Sequence, residues 1–348
     1  MAQNTAQSDR KYMKRALQLA RMAWGLTAPN PMVGAVVVNN GKIVGEGYHH
    51  SPGTPHAEVH ALNAAGADAA GGTIYVTLEP CCTYGRTPPC TEAIKKAGIK
   101  RVVCAVEDCN ALHAGRGFAI LREAGIEVKN GVLRSEAAEL NKAFFKHIRY
   151  RRPYVLLKMA MTLDGKIATA SGDSFWITGP AARSRVQELR RWCDAIMVGG
   201  ETVRQDHPAL TVREPVDWQQ QPQKLIFTSM SSEQLHREFF PDDPSVRAAA
   251  PQDRAQWLEL LNDLGSRNVM ALLLEGGGEL AAAALQSGIV DEVEFHIAPK
   301  LLTGRNSRPV VGGRDPMQLS EALLLDKFHI RRAGNDLIVS GKLKVEEF

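Results

Sequence analysis

Apolar and polar positions run in two rhythms along the 348 residues. Short β-branched runs bounded by Gly, Asn or Pro predict strands in the first part, at "MVGAVVV" (32–38), "GTIYVTLE" (72–79), "KRVVCAVED" (100–108) and "IEVKNG" (126–131). "KIVGEGY" (42–48) pairs with the first of these through an Asn-Asn-Gly turn. Between them, apolar residues recur at helical spacing over 10–25, from about residue 57, in "TEAIKKAG" (91–98) and in "GFAILREAG" (117–125). Thr91 reads as an N-cap, and Gly25 and Gly98 read as helix stops. Residues 1–8 are polar and read as frayed. The alternation is that of a layered α/β domain ending near 145.

The pattern restarts at Pro153. Strands are expected in "YVLLKMAMTLDGKIA" (154–168), "DAIMVGG" (194–200), "KLIFTS" (224–229), "NVMALLLEGGG" (268–278) and "DEVEFHIAPKLL" (291–302). A helix over 179–193 has Pro180 at its first position. Residues 214–222 read as a surface excursion, and 328–347 as a hairpin turning at Gly-Asn-Asp. The length suits two domains of about 150–200 residues each, placed at 1–150 and 151–348. No repeat relates the halves.

Charge narrows the partners. Lys plus Arg exceed Asp plus Glu by 4, too small an excess for a dedicated nucleic-acid binder and compatible with an anionic small substrate. The densest basic run, "KHIRYRRP" (146–153), reads as a solvated stretch between domains. No apolar run approaches the ~20 residues of a membrane span, and the start lacks a signal-peptide core. The expectation is a cytoplasmic protein without membrane or nucleic-acid partners. In a reducing compartment its six cysteines are not a disulfide framework, and three of them within residues 81–90 suggest metal.

"HAEVHAL" (56–62) and "EPCCTYGRTPPC" (79–90) carry that suggestion into chemistry. A hydrolytic zinc needs three protein ligands, an open position, and a nearby carboxylate that moves protons without ligating. His56, Cys81 and Cys90 supply the ligands and Glu58 the carboxylate. Cys81 and Cys90 flank a loop between a strand and a helix, whose N–H groups favour thiolate. Zinc nucleobase deaminases carry H-x-E followed by P-C-x-x-C. Here His56-Ala57-Glu58 and Pro80-Cys81 fit, but the second thiol stands at Cys90, with Cys82 as the alternative. Cys82, Cys104, Cys109 and Cys193 are otherwise small apolar residues.

"APNPMVGAVVV", "HAE", "LEPC", "GRTPPC" and "AGRG" together resemble the deaminase half of the bifunctional riboflavin-biosynthesis deaminase/reductase family, including its long loop between the cysteines. The resemblance implies a cytidine-deaminase-like three-layer α/β/α domain. It places substrate contacts at Asn30, His49, Arg86, Asp108 and Asn110. Two departures bear on substrate affinity and not on zinc: Cys82-Thr83-Tyr84 stands where the family has Ser-His-His or Ser-His-Tyr, and Cys109 where it has Pro.

In the second domain a strand runs into Gly276, Gly277 and Gly278 and then a helix, a geometry that suits an anion. No G-x-G-x-x-G follows the first strand, so a Rossmann site is not indicated. Arginines 183, 185, 190, 191 and 213 are candidate phosphate partners. Asp164 reads as a turn-former, and Trp176, taken alone, as a core residue. "LKMAMTLDGKIATASGDSFWIT", "AIMVGGETVRQDHPALTVR" and "LLLEGGGELAAAALQSGIVDEVEFHIAPKLL" resemble the same family's reductase half, with its dihydrofolate-reductase-like α/β fold. The resemblance spans about residues 12 to 340. It implies NADPH contacts at Ala160, Trp176, Thr202, Asp206 and Gly276–Gly278, and ribose-phosphate contacts at Lys158, Ser174, Arg190, Leu210, Arg213 and Glu275.

The expected enzyme therefore holds one zinc and uses NADPH. It deaminates a diaminopyrimidine carrying a ribosylamino phosphate and reduces the ribosyl group, and a homo-oligomer is expected. A deaminase of tRNA or free nucleosides would share His56, Glu58 and the cysteines, but the small net charge and the missing C-x-x-C disfavour it, and it leaves the second domain without a role. A binding protein with structural zinc would have no use for Glu58.

Overall fold

The computed structural model describes residues 2–84, 88–110 and 114–344. The chain forms two compact units, Met1–Arg151 and Arg152–Phe348.

The first unit opens with helix α1 (Ala2–Arg21), so the polar segment expected to fray is helical, and the helix stops four residues short of Gly25. Strands β1 (Gly34–Asn39) and β2 (Lys42–Tyr48) form the expected hairpin, with Asn40 and Gly41 both at positive φ. Helix α2 (Ala57–Ala65), β3 (Thr73–Leu78), α3 (Cys90–Lys96), β4 (Arg101–Val106), α4 (Arg116–Glu123), β5 (Glu127–Lys129), α5 (Arg134–Leu140) and α6 (Lys142–Tyr150) follow. The sheet order is β2-β1-β3-β4-β5; β3, β4 and β5 run parallel, and β1 is antiparallel to both its neighbours.

Glycines in the hairpin let helices onto both faces of this sheet. A Cβ at Gly34 would stand 2.0 Å from the Ala16 carbonyl of α1, and one at Gly45 would stand 2.1 Å from the Ala61 carbonyl of α2. The result is three layers, with α1 against one face and α2 against the other. The basic run after residue 145 is not a free linker: it continues α6, and His147 is buried.

The second unit contains β6 (Tyr154–Thr162), β7 (Lys166–Ala168), α7 (Pro180–Trp192), β8 (Ala195–Gly199), α8 (Gly200–Asp206), β9 (Gln223–Phe227), α9 (Ser232–Glu238), β10 (Arg247–Ala249), α10 (Arg254–Ser266), β11 (Ala271–Glu275), α11 (Gly278–Gln286), β12 (Glu292–Ala298), β13 (Arg308–Pro309), β14 (Leu325–Ala333) and β15 (Asp336–Leu343). Its main sheet has the order β10-β9-β8-β11-β6-β12-β15-β14, parallel as far as β12 and closed by the antiparallel pair β15 and β14. Period-2 alternation sorts the central strands. Val155, Leu157, Met159, Leu272, Leu274 and Val293 face a core with Trp257 and Leu280 from α10 and α11. The alternate residues include Lys158, Glu275, Glu294 and His296, which are polar yet buried. That second face positions the cavity described below.

Candidate active sites

His56 caps the start of α2 with extended backbone (φ −73°, ψ 164°), so its ring is free to point away from the helix. Ring atom Nδ1 lies 3.2 Å from Cys90 Sγ and 3.5 Å from Cys81 Sγ, and all three donor atoms fall within 4.8 Å of one another. A tetrahedral zinc, with bonds of about 2.0–2.3 Å, sets such donors roughly 3.5–3.8 Å apart, so the cluster needs little rearrangement to hold the ion. Cys82 is not part of this group.

The loop from β3 to α3 carries both thiols. Cys90 N–H donates to Cys81 Sγ at 3.2 Å, and Thr91 N–H donates to the Cys81 carbonyl at 3.2 Å. Thr91 is therefore inside α3, and the helix begins at Cys90 with Pro89 in the cap position. The Cys81 thiol is pushed down by hydrogen bonding with Cys90 and His56, while Cys81 and burial push the Cys90 thiol up.

Glu58 is buried in the first turn of α2. Burial, and after it the charge of Cys81, raises its carboxyl to about 7, in the range where it can both take and give a proton. His49 packs edge-on against the His56 ring at 5.5 Å, and its Nε2 lies 3.0 Å from Asn30 Nδ2. Two of the expected substrate contacts thus meet beside the metal donors. Asp108 and Asn110 lie just past β4, where Asp108 accepts the Asn110 N–H at 2.8 Å. Arg86 lies outside the described residues. Glu79, which sequence reasoning passed over, accepts N–H groups from Asp108, Gly115 and Gly117 at 3.2, 3.0 and 2.9 Å and so folds that loop back on β3.

In the second unit one cavity of about 860 Å³ lies over the polar face of the sheet. The residues that the family resemblance implies there all line it: Lys158, Ala160, Ser174, Trp176, Arg190, Thr202, Asp206, Leu210, Arg213, Glu275 and Gly276–Gly278; of the other candidate phosphate partners Arg183 lines it too, whereas Arg185 and Arg191 do not. Trp176 is not a core residue; it is 60% exposed, with the Arg183 guanidinium 4.6 Å from its ring centre. Gly276 and Gly277 have φ of +67° and +85°, which a side chain would strain, and they line the mouth between β11 and α11. Arg190 grips Glu275 with two bonds of 3.0 and 2.7 Å. Lys158 is only 9% exposed and forms no hydrogen bond or ion pair with any described residue. A buried ammonium left unpaired at a cavity wall is costly unless a ligand answers it. Arg308 and Gly312 also line the cavity and were not foreseen; Arg308 lies on the two-residue strand β13 and Gly312 just after it, a stretch too short to give a periodic signal. Asp164 accepts N–H groups from Leu302 and Thr303 at 3.1 and 2.8 Å, which makes it a turn-former, as its sequence context suggests.

Among the described residues no helix is long and apolar enough to cross a membrane. Residues 6–106 match the cytidine and deoxycytidylate deaminase zinc-binding region, and residues 153–339 match the RibD C-terminal domain. The chain is 43% identical to the riboflavin biosynthesis protein RibD of Actinobacillus pleuropneumoniae, over 95% of this chain and 94% of that one. It is 42% identical to the Escherichia coli protein of the same name, over 94% and 98%. A solved structure of Acinetobacter baumannii RibD superposes with a TM-score of 0.88 at 37% identity, covering 98% of this chain and all of that one. A second, described as a diaminohydroxyphosphoribosylaminopyrimidine deaminase/5-amino-6-(5-phosphoribosylamino)uracil reductase from Thermotoga maritima, gives 0.85 at 34% identity, covering 97% and 99%. With a His-Cys-Cys metal cluster in a deaminase fold and a lined cavity in a reductase fold, the chain belongs to the RibD family of bifunctional deaminase/reductase enzymes of riboflavin biosynthesis.

Proposed function

We propose that the unit at 1–150 hydrolyses the exocyclic amine of 2,5-diamino-6-(5-phosphoribosylamino)pyrimidin-4-one. The unit at 151–348 then reduces the ribosyl group with NADPH, giving 5-amino-6-ribitylaminouracil 5-phosphate. The observation that carries this reading is Glu58, buried in the first turn of α2, the helix whose cap residue His56 joins Cys81 and Cys90 as metal donors.

When bound by His56, Cys81 and Cys90, zinc supplies Lewis acidity that makes water nucleophilic near neutral pH. Glu58 takes one proton as water adds to the pyrimidine carbon and passes it to the ring nitrogen; it then takes the second proton from the added hydroxyl and gives it to the amine, so that the C–N bond breaks, ammonia leaves and a carbonyl remains. Asn30 and His49 bind and orient the ring, held together by their own contact. Arg86, Asp108 and Asn110 complete the substrate contacts in this reading.

NADPH supplies the reducing equivalent. Gly276–Gly278 admit its diphosphate close to the backbone, with Ala160, Trp176, Thr202 and Asp206 along the same cavity. Lys158, Ser174, Arg190, Leu210, Arg213 and Glu275 meet the ribose phosphate. The unpaired Lys158 ammonium supports an anionic or hydroxyl-rich ligand there.

The fuller reading includes a homo-oligomer in the cytoplasm. All six cysteines are free, as a reducing compartment requires. Strand β14 ends the sheet and is exposed nearly throughout, with Phe328 and Ile330 uncovered. An exposed edge strand of nine residues that carries Phe328 and Ile330 among charged neighbours offers pairing groups to a second copy. Light scattering on Ile330→Lys against the parent tests this: a shift toward monomer supports it, and an unchanged mass speaks against it.

Substrate class is tested by ammonia release from zinc-loaded protein offered the diaminopyrimidine ribosylamino phosphate, cytidine or deoxycytidylate. Preference for the first by orders of magnitude supports the reading. Equal release from the nucleosides would replace it with a nucleoside deaminase.

A further inference from the structure

Beneath the cavity, β11, β6 and β12 bring Glu275, Lys158 and Glu294 into one row, with Lys158 register partner to both carboxylates. Helix α7 lies over the row and neutralises its ends separately. Arg190 holds Glu275, and Arg185 holds Glu294 with bonds of 3.1 and 3.0 Å. His296, two residues along β12 and 0% exposed, lies with Nε2 2.8 Å from Glu294 Oε1. Lys158, Arg190 and Glu275 line the cavity, whereas Arg185, Glu294 and His296 do not.

We propose that Glu294 is a positioning residue of the reductase site: fixed by Arg185 and His296 on the strand beside Lys158, it supplies the negative charge that supports the Lys158 ammonium where it faces the substrate. The proposal rests on the reading of Lys158 as a substrate contact. Burial pushes Lys158 below its usual range and Arg190 adds to this, while Glu275 and Glu294 counter it. Burial pushes His296 below its usual range as well, and the bond to Glu294 opposes that. Arg331 on β14 is the remaining cation near Glu294, at 3.8 Å, and Glu188 also pairs with Arg185. Arg183, Arg213 and Asp206 face the same cavity. With each carboxylate answered by its own arginine, the row keeps one uncompensated positive charge, on Lys158.

The two partners of this support give opposite signs. Glu294→Gln removes a negative neighbour of Lys158 and leaves Arg185 less compensated, so the ammonium loses its proton at lower pH. Arg185→Gln leaves Glu294 less neutralised, so Lys158 holds its proton to higher pH. The experiment measures NADPH oxidation with pre-deaminated substrate from pH 6 to 10 for the parent, Glu294→Gln, Arg185→Gln and Lys158→Met. Thermal unfolding is measured alongside; the range of about pH 6 to 10 covers a lysine held below its ordinary value of about 10.4. The expected result is an alkaline limb moved down by roughly one pH unit in Glu294→Gln and up in Arg185→Gln. A limb that stays put in the folded variants, with lower activity at every pH, would reduce Glu294 to a structural role and overturn the proposal. If Glu294→Gln does not fold, Arg185→Gln decides alone, and a static or downward limb overturns the proposal. Lys158→Met separates the two readings. If it retains parent activity and the parent limb, the assignment of Lys158 has failed. If it loses activity while the other two variants leave the limb unmoved, only the role of Glu294 has.

Discussion

His56 Nδ1 and Cys90 Sγ, thirty-four residues apart in the chain, lie 3.2 Å from each other, with Cys81 Sγ completing the triangle. Cys90→Ser should therefore abolish tight zinc binding, and Cys82→Ser should leave about one zinc per chain. Metal content after dialysis checks this. Equal loss in both variants would show that the second thiolate was wrongly chosen.

Glu58→Gln keeps the shape of the carboxyl and removes its ability to shuttle a proton. Ammonia release should fall by roughly 10²-fold or more, with zinc retained. Reduction of pre-deaminated substrate should be unchanged, because hydride transfer draws on no group of the first unit. Near-parental ammonia release in the zinc-loaded variant would remove Glu58 from its role.

Arg213 lines the cavity, and its side chain is exposed toward solvent. Arg213→Ala should weaken reduction by about 10-fold or more through loss of a charge-assisted phosphate contact, in both KM and kcat if that contact orients the sugar. Ammonia release should persist. Steady-state kinetics of the two half-reactions on one preparation decide it.

Asp9 is buried and receives hydrogen bonds from Arg101 (2.8 and 3.0 Å), Lys129 (2.8 Å) and Tyr75 (3.1 Å). Burial opposes its charge, but these partners outweigh burial and hold the carboxyl below its usual value. A depressed carboxylate stabilises the fold above its unfolded pKa of about 4, and that contribution is lost as pH falls through the folded value. Asp9→Asn should cost about 1–3 kcal/mol at pH 7 by removing the buried carboxylate that Arg101 and Lys129 share, which leaves Arg101 with Glu127 alone, and less at acid pH. Unfolding temperatures across pH 3–8, a window of about the carboxylate titration and above, check the sign. A cost that grows as pH falls would contradict it.

The strands and the zinc donors were legible because each has a local signal. The β-branched runs became β1, β3 and β4, and the H-x-E and P-C pattern brought His56, Glu58 and Cys81 to one place. What failed was set by distant partners. Thr91 reads as a cap, yet Cys81, nine residues before Cys90, accepts the first helical N–H, and α3 starts two residues earlier, with Pro89 in the cap position. The polar start of α1 gave no sign of helix because nothing in its own composition announces one. Glu294 and His296 carried a readable hint: two polar residues alternating in the apolar strand "VEFHIA" must share a face. Only the pairing of β12 with β6 shows that this face holds Lys158.

The central claim is that one chain carries two separate chemistries in sequence. Incubating the zinc-loaded protein with the diaminopyrimidine ribosylamino phosphate, with and without NADPH, and following products by mass spectrometry tests it most directly. Without NADPH the substrate should exchange its exocyclic amine for oxygen and stop there. With NADPH the deaminated product should then gain two hydrogens. Reduction of the substrate with its amine still in place, or no deamination at full zinc loading, would contradict the account.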